Sequence, residues 1–148
     1  MGNKKQITID DIKICNIKTN VESNGNLSPI QSIDDVPFEI QRVFYVFGVN
    51  DFSPRGCHAH YQTKQLLICL NGQIEVLCKD GHNEKRFLLD SPQYGLFLPE
   101  MIWDEQTYKS PDSILLSICS TKYDRKDYIH NYEEFQFLVK DGVDAKVN

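Results

Sequence analysis

Apolar residues recur along most of this chain in short runs separated by turn residues. The runs are Glu39–Phe47, Gly56–Tyr61, Gln65–Leu70, Gln73–Lys79, Lys85–Leu89, Gly95–Leu98, Trp103–Tyr108 and Ser113–Ser120. Each has strand length. Asn71-Gly72, Asp80-Gly81, Ser91-Pro92 and Ser110-Pro111-Asp112 punctuate them. Asn-Gly and Asp-Gly supply the positive φ that tight turns need, so Leu70-Asn71-Gly72-Gln73 reads as the clearest hairpin. Many short strands at this spacing predict an all-β sandwich or barrel. Helical periodicity appears once: from Asn131 on, Tyr132, Phe135, Leu138 and Val139 form an apolar stripe, and Asp141-Gly142 ends it. The polar stretch from Asn20 to Val36 reads as a loop. A single domain over residues 1–148 is expected, with its core at about 36–130 and its helix at about 131–140.

Composition changes this picture little. A chain of 148 residues can bury one proper core. Its net charge of −5 and lack of a basic stripe argue against nucleic acid as a partner. Arginines placed singly can still bind a phosphorylated small molecule. No run approaches a membrane span, and the N-terminal residues do not form an apolar leader, so no membrane association is expected. Cys15, Cys57, Cys69, Cys78 and Cys119 form no Cys-x-x-Cys pair. An odd number of cysteines, mostly in apolar strands, predicts reduced thiols in a cytoplasmic protein.

The chemistry concentrates in Arg55-Gly56-Cys57-His58-Ala59-His60. Side chains alternate along a strand, so His58 and His60 share a face, roughly 6–7 Å apart at Cα. Cys57 takes the opposite face and a packing role. Two converging imidazoles can hold a metal or move protons. His82, in a turn, and His130, before the helix, read as solvated surface histidines.

The spacing His58-x-His60, then Gln65, then Gly72 resembles the first motif of the cupins. Asp90-Ser91-Pro92-Gln93-Tyr94-Gly95 and Leu98-Pro99-Glu100-Met101-Ile102-Trp103-Asp104 resemble the second. The resemblance implies a jelly-roll barrel whose four usual metal-ligand positions read His58, His60, Gln65 and Asp104. Gln65 stands where a glutamate is usual and Asp104 where a histidine is usual. A neutral amide oxygen is a poor ligand for iron, manganese or zinc, so no metal and no other cofactor is expected.

A narrower resemblance rests on Gln41-Arg42-Val43-Phe44-Tyr45-Val46-Phe47, Pro54-Arg55-Gly56-Cys57-His58-Ala59-His60, Leu70-Asn71-Gly72, Leu89-Asp90-Ser91-Pro92 and the segment from Ser120 to Ile129, in that order. Across about residues 36–138 the chain is similar to the sugar 3,4-ketoisomerases acting on dTDP-4-keto-6-deoxyglucose. It departs from their pattern at Tyr61, at Asp104, and at Glu22-Ser23-Asn24-Gly25, where an arginine is missing. The resemblance implies a dTDP-linked keto sugar as substrate and a pyridoxal-phosphate aminotransferase as the next enzyme, on a route to 3-amino-3,6-dideoxy sugars.

Moving a ketone from C4 to C3 requires removing the C3 proton and returning one at C4 through an enediol. Histidine, with an ordinary pKa of about 6.5, suits both steps, so His58 and His60 are the expected catalytic residues. Arg42 and Arg55 are candidates for the diphosphate, although either can be a surface ion pair. Tyr45 either reaches the sugar or belongs to the core. Trp103 either stacks on thymine or plugs the barrel. Gln65 and Asp104 are expected to line the pocket. A nucleotide-sugar 3,5-epimerase, a metal-dependent oxygenase and a non-catalytic sugar-nucleotide-binding cupin are the competing readings. Open barrel edges need cover, which predicts a homodimer exchanging an N-terminal strand.

Overall fold

The computed structural model describes residues 5–140. After a 3-10 turn at Ile9–Asp11, the strands are β1 (Lys13–Asn16), β2 (Asn20–Glu22), β3 (Gly25–Leu27), β4 (Arg42–Val46), β5 (Arg55–His60), β6 (Gln65–Asn71), β7 (Ile74–Lys79), β8 (Glu84–Leu89), β9 (Tyr94–Leu98), β10 (Trp103–Tyr108), β11 (Ile114–Cys119) and β12 (Tyr128–Ile129), followed by helix α1 (Tyr132–Lys140). Two five-stranded antiparallel sheets face each other, ordered β1-β9-β6-β11-β4 and β12-β5-β10-β7-β8. This is an all-β barrel with one short C-terminal helix. The Asp141-Gly142 stop expected after α1 lies outside the described residues. No helix among the described residues is long and apolar enough to cross a membrane.

Three features differ from the sequence expectation. The stretch read as a loop from Asn20 contains the β2–β3 hairpin, whose residues are all exposed. Strand β1 lies outside the expected core range, yet it covers the β9 edge of its own chain, with Lys13 opposite Phe97 and Asn16 opposite Tyr94. Asn71-Gly72 is not a hairpin: β6 pairs with β9 and β11, whereas β7 pairs with β8 and β10. The chain there crosses between sheets. Gly72 has φ +79°, and a Cβ on it would lie 2.7 Å from Ser113 Cα, so close approach is what requires glycine. Asp80-Gly81 does join a hairpin, β7 to β8, with Lys79 opposite Glu84. Asp80 accepts hydrogen bonds there from the Ile9, His82 and Asn83 amides.

Strand alternation separates the barrel interior from its outer faces. Leu67, Cys69, Ile74, Val76, Leu96, Leu98, Tyr108 and Leu115 fill the interior. The outer face of the first sheet buries Leu66, Ile68 and Ile118 beneath Ile17, Val36 and Phe38. Residues between the hairpin and β4 are therefore a packed pad. The outer face of the second sheet buries Ala59, Trp103 and Ile129 beneath Phe135 and Val139 of α1. Full burial of such a side chain contributes about 1.5–3 kcal/mol. These layers cover part of each outer face, and the polar inward positions gather at one end of the barrel.

A candidate active site at the polar end of the barrel

The site begins with a bulge in β5. Asp104 of β10 lies opposite His58 but Glu105 lies opposite Gly56, so Cys57 is the extra residue. Gly56 and Cys57 have φ of +80° and +54°. A bulge of this kind re-aims the side chains that follow it. Cys57 turns outward against the layer beneath α1, and His58 and His60 turn into the barrel.

Both imidazoles are oriented through Nδ1. His58 Nδ1 donates to the Gly56 carbonyl at 2.9 Å, because a carbonyl oxygen only accepts. His60 Nδ1 donates to Asp127 Oδ2 at 3.1 Å. Asp127 is itself held by the Gln62 amide at 2.7 Å and by the Thr63 hydroxyl, which also bonds Thr121. In the neutral rings the basic lone pair is therefore on Nε2 of each. His60 Nε2 is buried and has no hydrogen-bond partner. The two rings stand 5.0 Å apart and nearly perpendicular, at 87°.

Burial lowers the His60 pKa to about 4, helped by the neighbouring His58 and opposed by Asp127. The contact with Asp127 is therefore a hydrogen bond to a neutral imidazole at pH 7, despite ion-pair geometry. Tyr128, opposite His60 across the β5–β12 pair, packs its ring 4.4 Å from His60 and 5.1 Å from His58. Its hydroxyl accepts from Arg42 NH1 at 3.2 Å, and Arg42 Nε is buried without a partner. Asp104, 1% exposed, accepts from Gln106 Nε2 at 2.9 Å. Gln106 accepts through Oε1 from the Tyr108 hydroxyl at 2.9 Å, which fixes the amide's orientation. Burial holds the Asp104 carboxyl above the usual carboxylate range, and His58 offsets only part of that rise.

The residues singled out from sequence divide clearly. His58, His60, Arg42 and Asp104 come together at this end of the barrel. Gln65 lies in the same interior but is turned away, donating to Ser117 at 3.2 Å and Cys119 at 3.7 Å. Arg55 stands exposed at the start of β5 and makes no ion pair among the described residues. Two expectations need correction. Tyr45 is 64% exposed on the outer face of β4, because Arg42 and Phe44 take the inward positions; it belongs neither to the core nor to the barrel interior that holds the histidines. Trp103 precedes the inward Asp104, so it faces outward and packs 5.2 Å from Tyr132 and 6.0 Å from Phe135. It neither plugs the barrel nor reaches the site.

Sequence reasoning missed Asp127, Thr63 and Tyr128 as site residues, although the last family-like segment contained two of them. His130, expected on the surface, lies next to the site. It is exposed, yet its ring stacks on Tyr128 at 5.5 Å and lies 6.1 Å from His58. Only the pairing of β12 with β5 places residues 127–130 beside the histidines. Among the described residues no group of three or more His, Cys, Asp or Glu side chains gathers to hold a metal. Of the four cupin ligand positions, Gln65 is committed to Ser117, Asp104 to Gln106, and His60 to Asp127. That donor set does not fit a divalent ion without rearrangement.

The family model described as FdtA: WxcM-like, C-terminal matches residues 10–140. A TDP-4-oxo-6-deoxy-alpha-D-glucose-3,4-oxoisomerase of Aneurinibacillus thermoaerophilus is 37% identical over 136 residues, covering 92% of this chain and 94% of that protein. The crystal structure of a 3,4-ketoisomerase from Helicobacter canadensis superposes with a TM-score of 0.85 at 35% identity, over 88% of this chain and 98% of that one. QdtA, a sugar 3,4-ketoisomerase from Thermoanaerobacterium thermosaccharolyticum solved with TDP, gives 0.87 at 33% identity, over 90% and 98%. A dTDP-4-dehydrorhamnose 3,5-epimerase from Bacillus anthracis, 13% identical with a TM-score of 0.70 over 82% of this chain and 81% of that one, shares the fold alone. The chain belongs to the FdtA, WxcM-like family of sugar 3,4-ketoisomerases.

Proposed function

We propose that this family member converts TDP-4-keto-6-deoxyglucose into the corresponding 3-keto-6-deoxyhexose by proton transfer. The observation that supports it best is the pair of perpendicular imidazoles, each held through Nδ1 and each with Nε2 left for a substrate. His58 Nε2 takes the C3 proton. The C3–H electron pair becomes the C3–C4 double bond, and the C4 carbonyl pair moves onto its oxygen. The proton returns at C4. His60, kept neutral by burial, passes the hydroxyl proton from O3 to O4. Arg42 and the Tyr128 hydroxyl it donates to stabilise the developing oxyanion. Arg55, at the barrel mouth, meets the diphosphate.

We extend the reading to assembly and context. A homodimer is supported by the outer face of edge strand β4, where Val43, Tyr45 and Phe47 lie exposed beside Leu70. In this reading the exposed β2–β3 hairpin is the N-terminal element that exchanges with a partner. A cytoplasmic setting fits the five free cysteines. The 3-keto product is a substrate for a pyridoxal-phosphate aminotransferase as the next enzyme.

The test is to mix the protein with TDP-4-keto-6-deoxyglucose in deuterated buffer and follow it by proton NMR. Loss of the C3 proton signal with growth of a 3-keto product is expected. Deuterium entering at C5 instead indicates an epimerase. A bound nucleotide sugar without exchange indicates a binding protein.

A further inference from the structure

Asp104 is a carboxylate buried inside the barrel beside a catalytic histidine, and it neither gives nor takes a proton in the isomerisation. It lies directly opposite His58 in the β10–β5 pairing. Directly opposite residues have Cβ atoms about 4.5–5.5 Å apart. The β5 bulge makes room for it: a Cβ on Gly56 would lie 3.2 Å from Asp104 Oδ2. The same Gly56 accepts the Nδ1–H of His58 through its carbonyl. One glycine therefore both aims the imidazole and admits the carboxylate. The hydrogen-bonded line from Tyr108 through Gln106 to Asp104 holds the carboxylate from behind.

A carboxylate this deeply buried is costly as an anion, held at rest by the Gln106 hydrogen bond and stabilised further by any positive charge that forms beside it. Arg42 is turned to Tyr128, and Lys79, the partner of Glu105, lies on the outer face. His58 is the group across the strand pair that becomes a cation, when it takes up a proton. His60 has a different carboxylate, Asp127, bound to it directly.

We propose that Asp104 is the counter-charge of His58, a positioning residue that stabilises the imidazolium formed when His58 Nε2 removes the C3 proton. This rests on the isomerase reading. Asp104 forms no bond to substrate and keeps its own charge through the cycle. The proton moves from C3 to His58 and from His58 to C4, and Asp104 makes the intermediate holding less costly. The two imidazoles thereby take different tasks: His58, facing Asp104, holds the proton, and His60 remains neutral.

The other titratable or charged groups around His58 are His60 and Arg55 on its own strand, Glu105 and Tyr108 of β10, Tyr128 and His130 from the β12 segment, Asp127 behind His60, Cys78 of β7 beside Asp104, and Arg42 of β4 behind Tyr128. Asp104→Asn leaves all of them in place and preserves the shape of the side chain. In the full-length protein we expect kcat to fall about tenfold or more, following the size of an opposite-charge effect at this range. KM should stay within about threefold, because the counter-charge acts once the proton has moved. The acid limb of the kcat/KM profile should move to lower pH, since His58 then holds a proton less firmly. A kcat loss with an unmoved acid limb overturns the proposal and leaves Asp104 a packing role. A second readout does not depend on turnover. The imidazole Cε1 proton NMR signal of His58, assigned by its loss in His58→Asn, should titrate at lower pH in Asp104→Asn. If the wild-type protein fails to isomerise TDP-4-keto-6-deoxyglucose, the functional reading fails, and the titration still decides whether Asp104 and His58 are coupled. Coincident titrations in the two proteins overturn the proposal.

Discussion

The two ends of the barrel interior are built from the same strands and have opposite characters. On β6, Gln65 lies at one end and Leu67 and Cys69 at the other. On β10, Asp104 and Gln106 lead to Tyr108; on β11, Cys119 and Ser117 lead to Leu115. The apolar end is satisfied by contact alone, with Leu67, Ile74, Val76, Leu96 and Leu115 at 0% exposure. The polar end needs a partner for every group, and its network is incomplete. His60 Nε2 and Arg42 Nε are both buried there with no hydrogen bond. Leaving such a group unpaired costs about 1–3 kcal/mol. The fold therefore places its closed packing at one end and its unmet polar groups where a substrate can satisfy them.

The sharpest way to break this contrast is to remove one group from each end. His58→Asn at the polar end should lower kcat by about 10³-fold, within the range for loss of a positioned general base, and leave the unfolding midpoint nearly unchanged. Turnover measured beside thermal unfolding checks both halves. Leu67→Ala at the apolar end should do the reverse. It removes a fully buried side chain and should cost about 3 kcal/mol of stability. Denaturant titration measures it, and kcat of the remaining folded protein should change less than about threefold. If Leu67→Ala removed activity without lowering stability, the two ends would not be independent.

A pH experiment sharpens the contrast further, because His60, the interior imidazole with a lowered pKa, lies at the polar end. His60 is neutral in the folded protein down to about pH 4, whereas in the unfolded chain it takes up a proton below about 6.5. Keeping it neutral therefore costs nothing above pH 6.5. Below that the unfolded chain gains a proton that the folded one refuses, so stability falls as pH drops from 6.5 towards 4. The contribution is about 3 kcal/mol across that window. His60→Gln should flatten the decline by a comparable amount, measured as the difference in unfolding free energy between the two proteins at pH 7 and pH 4. Equal slopes would mean that His60 is solvated in the folded state.

How much of this was legible beforehand depended on range. Alternation along a strand is local, so the strand runs and the shared face of His58 and His60 could be read from neighbouring residues. The same rule, followed from Arg42 and Asp104, sends Tyr45 and Trp103 outward, but it yields nothing until one residue of each strand is known to point in. Asn71-Gly72 carried a true turn signal with the wrong consequence. Positive φ is shared by hairpins and by close crossings, and only Ser113, forty-one residues later, tells them apart. Asp127 and Tyr128 reach the site through β12–β5 pairing across some seventy residues, and no local period encodes that. His130 looked like a surface residue and is one; its ring stacks on Tyr128 because the chain turns there into α1. The family-like segments carried this long-range information as order rather than as geometry.

The smallest effect on chemistry is expected outside the barrel altogether. Tyr45 stacks on Phe47 at 5.7 Å on the exposed face of β4, with the sheet between it and the histidines. It has no path to the substrate except through the backbone of an edge strand. Tyr45→Ser should therefore leave kcat and KM within about twofold, since surface changes away from a site rarely exceed 0.5 kcal/mol. The same change removes aromatic area from the face offered for dimerisation, so it should weaken self-association, read by analytical ultracentrifugation across protein concentrations. Unchanged association would move the dimer contact elsewhere, to the β2–β3 hairpin. A loss of turnover that tracks dissociation would instead show that a partner subunit completes the polar end, and the contrast between the two ends would then extend across the interface.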